Sequence, residues 1–207
     1  MKCLAVAILI GLAGAIARAE PVVYVFDSDH TFVQFEVRHF GTSTLRGRFG
    51  PLRGRVTLDR SAGTGELGLR VATAGVDTGL RVLDARLRQP DMLASEAFPE
   101  AFFVARQFRF EGDRVAELRG EFTLRGIGQG LTLKALHYAC RRDVDNEVCG
   151  GEFEGRFQRS AFGITFGLPL VADEVRLQVQ VEAVRRVQLA AMDPNTPVVR
   201  SAPPAAK

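Results

Sequence analysis

The sequence predicts an all-β domain, because apolar and polar residues alternate along most of it and turn residues divide the alternating runs at regular spacing. The clearest run places Val175, Leu177, Val179 and Val181 on one face of a strand and polar side chains on the other. Such alternation is typical of antiparallel strands with one face buried and one in water. About eight strands joined mostly by hairpins give either a sandwich or a closed up-and-down barrel.

The N-terminus has the features of a signal peptide. Lys2 precedes an uncharged apolar core over 4–17, and Ala17-Arg18-Ala19 forms the small-x-small pattern that signal peptidase cleaves. As a helix, that core would rise only about 21 Å, too little to cross a hydrocarbon layer about 30 Å thick. We therefore predict a signal peptide over 1–19 and a periplasmic protein with no stable membrane insertion.

The remaining chain is predicted to hold one β-domain over 20–187 and a disordered, proline-containing tail over 188–207. Its 27 lysines and arginines fall to 25 when Lys2 and Arg18 leave with the signal, against 24 aspartates and glutamates. This balance argues against a nucleic-acid partner, which requires a clustered basic face. No nucleotide, haem, zinc or hydrolase motif is present, so the sequence predicts no cofactor, no metal and no enzyme.

Two cysteines remain after cleavage, Cys140 and Cys149, and they flank a short polar segment typical of a hairpin tip. An even pair at this spacing in an oxidising compartment predicts a disulfide. The alternative, a metal-binding or redox pair, lacks further cysteines and a nearby histidine.

One segment departs from the strand pattern. Over 77–88, the residues Leu80, Leu83 and Leu87 follow helical spacing, with Asp77 or Thr78 available as the N-cap. We expect a short helical insertion that plugs or covers one end of the barrel.

The residues predicted to face inward include many phenylalanines and several glycines. The chain has 15 Phe and no Trp. Glycines in strands either leave room for a guest or permit sharp barrel bends, and both explanations stay open for Gly47, Gly54, Gly120 and Gly155. His39 is the one polar residue in its inward set, where it is either a hydrogen-bonded core residue or a polar contact for an apolar guest.

Several segments resemble the YceI-like family. They are 29–39, 45–49, 76–79, 120–127 and the Arg159-Ser160-x-Phe162-Gly163 element, and the resemblance spans about 22–184. It implies an extended lipocalin-like antiparallel β-barrel of about eight strands with a short helical insertion. It also implies a periplasmic protein that holds a polyisoprenoid or a similar long amphipathic lipid in its lumen.

We therefore expect a periplasmic carrier or store for a long-chain isoprenoid or acyl lipid, with formation of a homodimer left open. The candidate ligand-binding residues are His39, Phe35, Phe49, Phe103, Phe122, Phe157 and Gly47. Two alternatives remain. One is a hydrolase-like enzyme on a lipid substrate, with His39 or His30 as base. The other is a filled-barrel scaffold without ligand, for which we expect a lumen below about 300 Å³.

Overall fold

A computed structural model describes residues 20–142 and 146–186, which form a closed antiparallel β-barrel with one short α-helix. The predicted signal peptide and tail (188–207) lie outside the described residues, as does the tip of the hairpin that carries the two cysteines. The elements in order are β1 (Val22–Phe26), β2 (Phe32–His39), β3 (Ser43–Phe49), β4 (Arg53–Asp59), β5 (Thr64–Ala72), β6 (Val76–Asp77), α1 (Arg81–Leu87), β7 (Glu100–Glu111), β8 (Arg114–Leu124), β9 (Ile127–Arg142), β10 (Glu147–Gln158) and β11 (Val171–Arg185).

The barrel closes through eight of these strands. Their order around the ring is β1-β4-β5-β7-β8-β9-β10-β11, and β11 pairs back onto β1 through Phe26 and Ala183. The predicted lipocalin-like barrel of about eight strands with a short helical insertion is thus confirmed, and closure removes the exposed sheet edges that a sandwich would leave. The predicted alternation also holds, since Val175, Leu177 and Val179 are buried against the core.

The three other strands are continuations of ring strands. β11 pairs with β1 at Ala183 and with β2 at Gln180, so β1 and β2 follow one another along the same edge. In the same way, β3 lies in line with β4 along the neighbouring strand position, and β6 lies in line with β5 along the next one. Across the break between β1 and β2, the Thr31 hydroxyl donates to the Glu182 carbonyl at 3.1 Å and accepts from the Glu182 amide at 3.2 Å. This buried threonine replaces the strand pairing that the break removes.

The barrel wall is incomplete at the end of the barrel where β6 lies. Among the described residues, β6 pairs only with β3, and the chain leaves the sheet from 78 until β7 begins. Helix α1 and the segment after it cover this gap, which agrees with the expected insertion at one end. The helix begins later than the sequence suggests, because the Asp84 carboxylate accepts from the Thr78 amide at 2.8 Å and holds the preceding turn out of the helix.

Glycines mark the positions where neighbouring strands approach most closely. A Cβ at Gly120 would lie 2.2 Å from the Val104 carbonyl oxygen, and one at Gly54 would lie 2.2 Å from that of Gly68. At these two positions the glycine is explained by the close approach of strands at a bend of the barrel, and not by room for a guest.

Replacing Gly120 with alanine is expected to lower the free energy of unfolding by about 3 kcal/mol, because the added carbon meets backbone that cannot move aside cheaply. Gly130→Ala is the matched control, since a Cβ there meets nothing within 4 Å. Urea unfolding of both variants measures the difference, and equal stabilities would contradict the close approach.

The predicted disulfide is confirmed. Cys140 and Cys149 face each other across β9 and β10, and their sulfurs are 2.07 Å apart. The Arg60 guanidinium lies 3.3 Å from both sulfurs and donates to the Tyr24 hydroxyl at 3.0 Å. The disulfide therefore belongs to a polar cluster that closes the end of the barrel opposite α1.

A Cys140→Ser, Cys149→Ser double variant is expected to lose about 2–3 kcal/mol of unfolding free energy, because the crosslink no longer restricts the unfolded chain. Urea unfolding under oxidising and reducing conditions measures this loss. The reductant should destabilise the native sequence and leave the double variant unchanged, and a reductant effect on both would contradict the assignment.

Candidate functional site

An apolar cavity of about 160 Å³ lies inside the barrel, at the end that α1 covers. Its walls come from inward-facing residues of the strands, together with residues of α1 and of the segments at Met92–Leu93 and Ile164. The main lining residues are Val33, Phe35, Val37, Phe49, Leu69, Val71, Leu87, Met92, Leu93, Ala101, Phe103, Phe122, Leu131, Leu133, Phe157, Ile164, Val175, Leu177 and Val179.

All five phenylalanines that we considered candidates for ligand contact line this cavity. Phe35 and Phe49 pack together with ring centroids 5.5 Å apart, and Phe122 and Phe157 pack at 5.3 Å. Phe103 is almost fully buried and lies opposite Phe122 on the neighbouring strand. Their position suits ligand contact, and binding itself stays a prediction.

The other two candidates lie outside the lining. His39 ends β2, where its ring packs edge-on against Phe40 with centroids 4.4 Å apart. Gly47 lies beneath the Phe35 ring, and a Cβ there would be 2.5 Å from that ring. The space above Gly47 is thus taken by Phe35 and does not widen the lumen, although a role for either residue in binding stays a prediction.

A second apolar cavity, of about 60 Å³, continues the first toward the disulfide end. The two share the lining residues Leu69, Leu133 and Val179. Tyr24 is fully buried at the far end, where burial raises the pKa of its hydroxyl. The apolar space is therefore elongated along the barrel axis, a shape that suits a chain better than a compact ring system.

Each cavity is small. Small-molecule sites commonly occupy about 300–1,000 Å³, and the larger cavity holds about 160 Å³. This volume meets the criterion that we set for the filled-barrel alternative. A long chain can enter only if lining side chains move or if part of the chain stays at the mouth.

The lining offers few reactive groups. Its polar residues are Arg70, Thr73 and Arg159, and it contains no histidine, cysteine, serine or carboxylate. The Thr73 hydroxyl donates to the Phe98 carbonyl at 2.8 Å. The cavity thus supplies apolar contact, and the acid–base pair that the hydrolase alternative needs is not among the described lining residues.

Arg159, which the sequence showed only as part of the Arg-Ser-x-Phe-Gly element, is a structural residue. Its guanidinium is buried and donates to four backbone carbonyls, those of Ala172 at 2.9 Å, Ile164 at 3.1 Å, Phe166 at 2.8 Å and Val171 at 2.8 Å. Burial lowers the pKa of this guanidinium. These bonds hold the loop 163–170 over the mouth of the cavity.

Phe162 and Ser160 complete this arrangement. The Phe162 ring packs against Phe122 and Phe157 at 5.2 and 5.3 Å, and the Ser160 hydroxyl donates to the Asp173 carboxylate at 2.5 Å. The Arg-Ser-x-Phe-Gly pattern was the available signal for these roles, but its spacing alone does not reveal what the arginine contacts.

One group of potential metal ligands lies outside the barrel. Asp27, His30 and Glu182 bring ligand atoms within 4.8 Å of one another at the break between β1 and β2. His30 Nδ1 is 2.8 Å from the Asp27 carboxylate, and this hydrogen bond raises the pKa of His30 and lowers that of Asp27. A surface ion pair explains the cluster without a metal.

No helix in the described part of the chain is both long and apolar enough to cross a bilayer. Comparison with known proteins gives consistent matches. The model of the YceI-like domain matches residues 24–183. The YceI protein of Salmonella arizonae is 31% identical over 162 residues, which is 77% of this chain and 84% of that protein.

Solved structures share the fold at lower identity. BcnA of Burkholderia cenocepacia has a TM-score of 0.63 at 19% identity and covers 76% of this chain and 98% of its own. The Campylobacter jejuni YceI protein has a TM-score of 0.61 at 21% identity, and the match covers 72% of this chain and 90% of that protein. A polyisoprenoid-binding domain from Saccharophagus degradans has a TM-score of 0.58 at 14% identity, and the match covers 79% of this chain and 98% of that domain.

Proposed function

The chain belongs to the YceI-like family, and from this premise we propose that it is a periplasmic binding protein that holds a long-chain isoprenoid or similar amphipathic lipid for transport or storage. The observation that carries the proposal is the elongated apolar space, formed by two cavities that share lining residues inside a closed barrel. The polyisoprenoid-binding domain from Saccharophagus degradans, which has the same fold, supports this ligand class.

The tail of the lipid enters first. Transfer of each methylene from water into an apolar lumen contributes about 0.8 kcal/mol, so a chain gains affinity with every carbon buried. The lining presents almost no polar partner, so the polar head remains at the mouth near α1. His39 and Phe40 lie on that side of the barrel, where His39 can contact a head group without lining the cavity.

The guest is expected to enlarge the lumen. Met92 and Leu93 line the cavity from the segment that covers the gap between β6 and β7. These side chains belong to no strand, and the unbranched, flexible chain of Met92 can change rotamer to make room for a guest.

Native mass spectrometry of protein purified from the periplasm without detergent tests the proposal, together with organic extraction and an offered prenyl chain such as geranylgeraniol. We expect one lipid per chain, recovered chemically intact, and saturable uptake of the prenyl chain. Absence of both a co-purified lipid and uptake would overturn the proposal in favour of the filled-barrel scaffold, which the small cavity volume supports. Recovery of a cleaved lipid would instead favour the hydrolase alternative.

Export is the other part of the proposal, and it rests on the sequence over 1–19. The protein expressed in full length is expected to be recovered from the periplasm with Glu20 as its first residue. Intact-mass measurement of that fraction checks the cleavage site, and an Ala19→Phe variant should remain uncleaved. Recovery of the uncleaved native chain in the cytoplasm would contradict export.

A further inference from the structure

Exposed apolar side chains gather at the end of the barrel that holds the larger cavity. We call them the apolar rim: Phe40 (55% exposed), Leu80 (64%), Val82 (86%), Phe166 (57%) and Leu170 (59%). They come from three separate parts of the chain, which are the turn after β2, the start of α1 and the loop 163–170. Large apolar side chains grouped on a surface mark an interaction site.

Direct contacts join these three parts into one surface. The Phe40 amide donates to the Leu170 carbonyl at 2.7 Å, which connects the turn to the loop. The Arg86 guanidinium lies 4.2 Å above the Phe166 ring, which connects the loop to α1. Val82 lies one helical turn before Arg86 and so shares its face of the helix. The rim is therefore continuous from the turn to the helix.

The rim adjoins the mouth of the cavity. The same segments that expose rim residues also line the lumen, since Leu87 of α1 and Ile164 of the loop both face the cavity. It also lies at the incomplete part of the barrel wall, where β6 has no partner on its β7 side among the described residues. A molecule bound at the rim therefore lies next to the entrance of the lumen.

Exposed arginines without an ion-pair partner lie beside the rim. Arg38 and Arg81 are exposed there, and within the described residues neither of them forms an ion pair. The nearby carboxylates are engaged locally: the hydrogen bond from Thr78 and the charge of Arg88 lower the pKa of Asp84, Asp91 pairs with Arg86 at 2.6 Å, and Asp77 accepts from the Gly79 amide. Apolar side chains flanked by unpaired arginines match the boundary between acyl chains and anionic head groups.

We propose that the apolar rim docks on the surface of a bilayer that contains anionic phospholipid, with its apolar side chains at the acyl boundary and its arginines among the phosphates. Docking places the mouth of the cavity against the bilayer, so that a lipid tail passes into the lumen without crossing water. The direction of lipid transfer rests on the function proposed above, whereas docking itself does not.

Vesicle flotation with the guest-free protein tests the docking surface. The probe is a phosphatidylcholine vesicle with about a third phosphatidylglycerol, and the reference is phosphatidylcholine alone. We expect binding to the anionic vesicle, weakened at least fivefold by Val82→Ser or Leu170→Ser. Arg81→Gln should weaken it about fivefold, since each cation near an anionic surface contributes about 1 kcal/mol.

Leu136→Ser is the matched control, because Leu136 is 58% exposed and lies on the barrel wall in β9. It should leave flotation unchanged. Equal loss in the control, or no binding to anionic vesicles, would overturn the docking surface. A concentration-dependent dimer that the rim variants abolish, without vesicle binding, would assign the rim to a second copy instead. Vesicle binding without lipid uptake in solution would support docking while contradicting the carrier function.

Discussion

A Val33→Phe variant is expected to lose about a hundredfold in affinity for a prenyl chain while keeping its fold. Val33 lines the cavity and lies between Phe49 and Val179 on the neighbouring strands. Phenylalanine has about four more carbons than valine and fills the space of about four carbons of a guest. At about 0.8 kcal/mol for each carbon, the loss is about 3 kcal/mol.

Gln34→Phe provides the matched control for this variant. Gln34 is the next residue of β2 and faces outward, so the same ring is introduced on the other side of the barrel wall. Titration with geranylgeraniol should give a native Kd for Gln34→Phe and a strongly raised Kd for Val33→Phe, with both variants unfolding near the native urea midpoint. Unchanged affinity in Val33→Phe would contradict the position that we give to the guest.

Arg159→Met is expected to cost about 3–5 kcal/mol of unfolding free energy. The guanidinium is 4% exposed and donates to four carbonyls, and methionine leaves those buried acceptors without a donor. The loop 163–170 should lose its fixed position over the cavity mouth, which would also raise the rate of lipid exchange.

Arg156→Met isolates the effect of burial. Arg156 lies in the same region and pairs with Glu174 at 3.1 Å, but its side chain is 55% exposed. Exposed pairs of this kind contribute about 0–1 kcal/mol. Urea unfolding should therefore separate the two variants by at least about 2 kcal/mol. Equal losses would mean that the carbonyl contacts of Arg159 contribute little to stability.

The sequence allowed most of the barrel to be predicted, because alternation depends on local residue order. It predicted the inward phase of β2, β3, β8 and β10, and hence the lining positions of Phe35, Phe49, Phe122 and Phe157. It did not reveal that three ring strands are interrupted. The break between β1 and β2 is held by Thr31 and Glu182, which are far apart in the chain, and no local pattern records that contact.

The same limit explains the placement of His39 and Gly47. A period of two predicts which side of the wall a residue faces, but it gives neither the depth along the barrel axis nor the reach of neighbouring side chains. His39 has the inward phase and yet ends its strand beyond the cavity. Gly47 also has the inward phase, but Phe35 from the adjacent strand covers it.

The helix begins later than the leucine spacing predicts because of Asp84, whose contact with Thr78 the spacing does not show. Leu80 fits the helical pattern, yet it is 64% exposed and precedes the first helical residue. Asp84 binds the Thr78 hydroxyl at 2.7 Å and fixes the turn before the helix, so Leu80 points to solvent and joins the apolar rim. A residue that the spacing placed within the helix thus became part of the proposed docking surface.

A crystal structure of the protein saturated with a long prenyl chain tests the central claim most directly. We predict continuous density for the chain along the barrel axis, passing the paired rings of Phe35 and Phe49 and those of Phe122 and Phe157, with Met92 or Leu93 moved aside and the head group near α1. A lumen still filled by its own side chains, with the prenyl chain bound outside the barrel or absent, would contradict it.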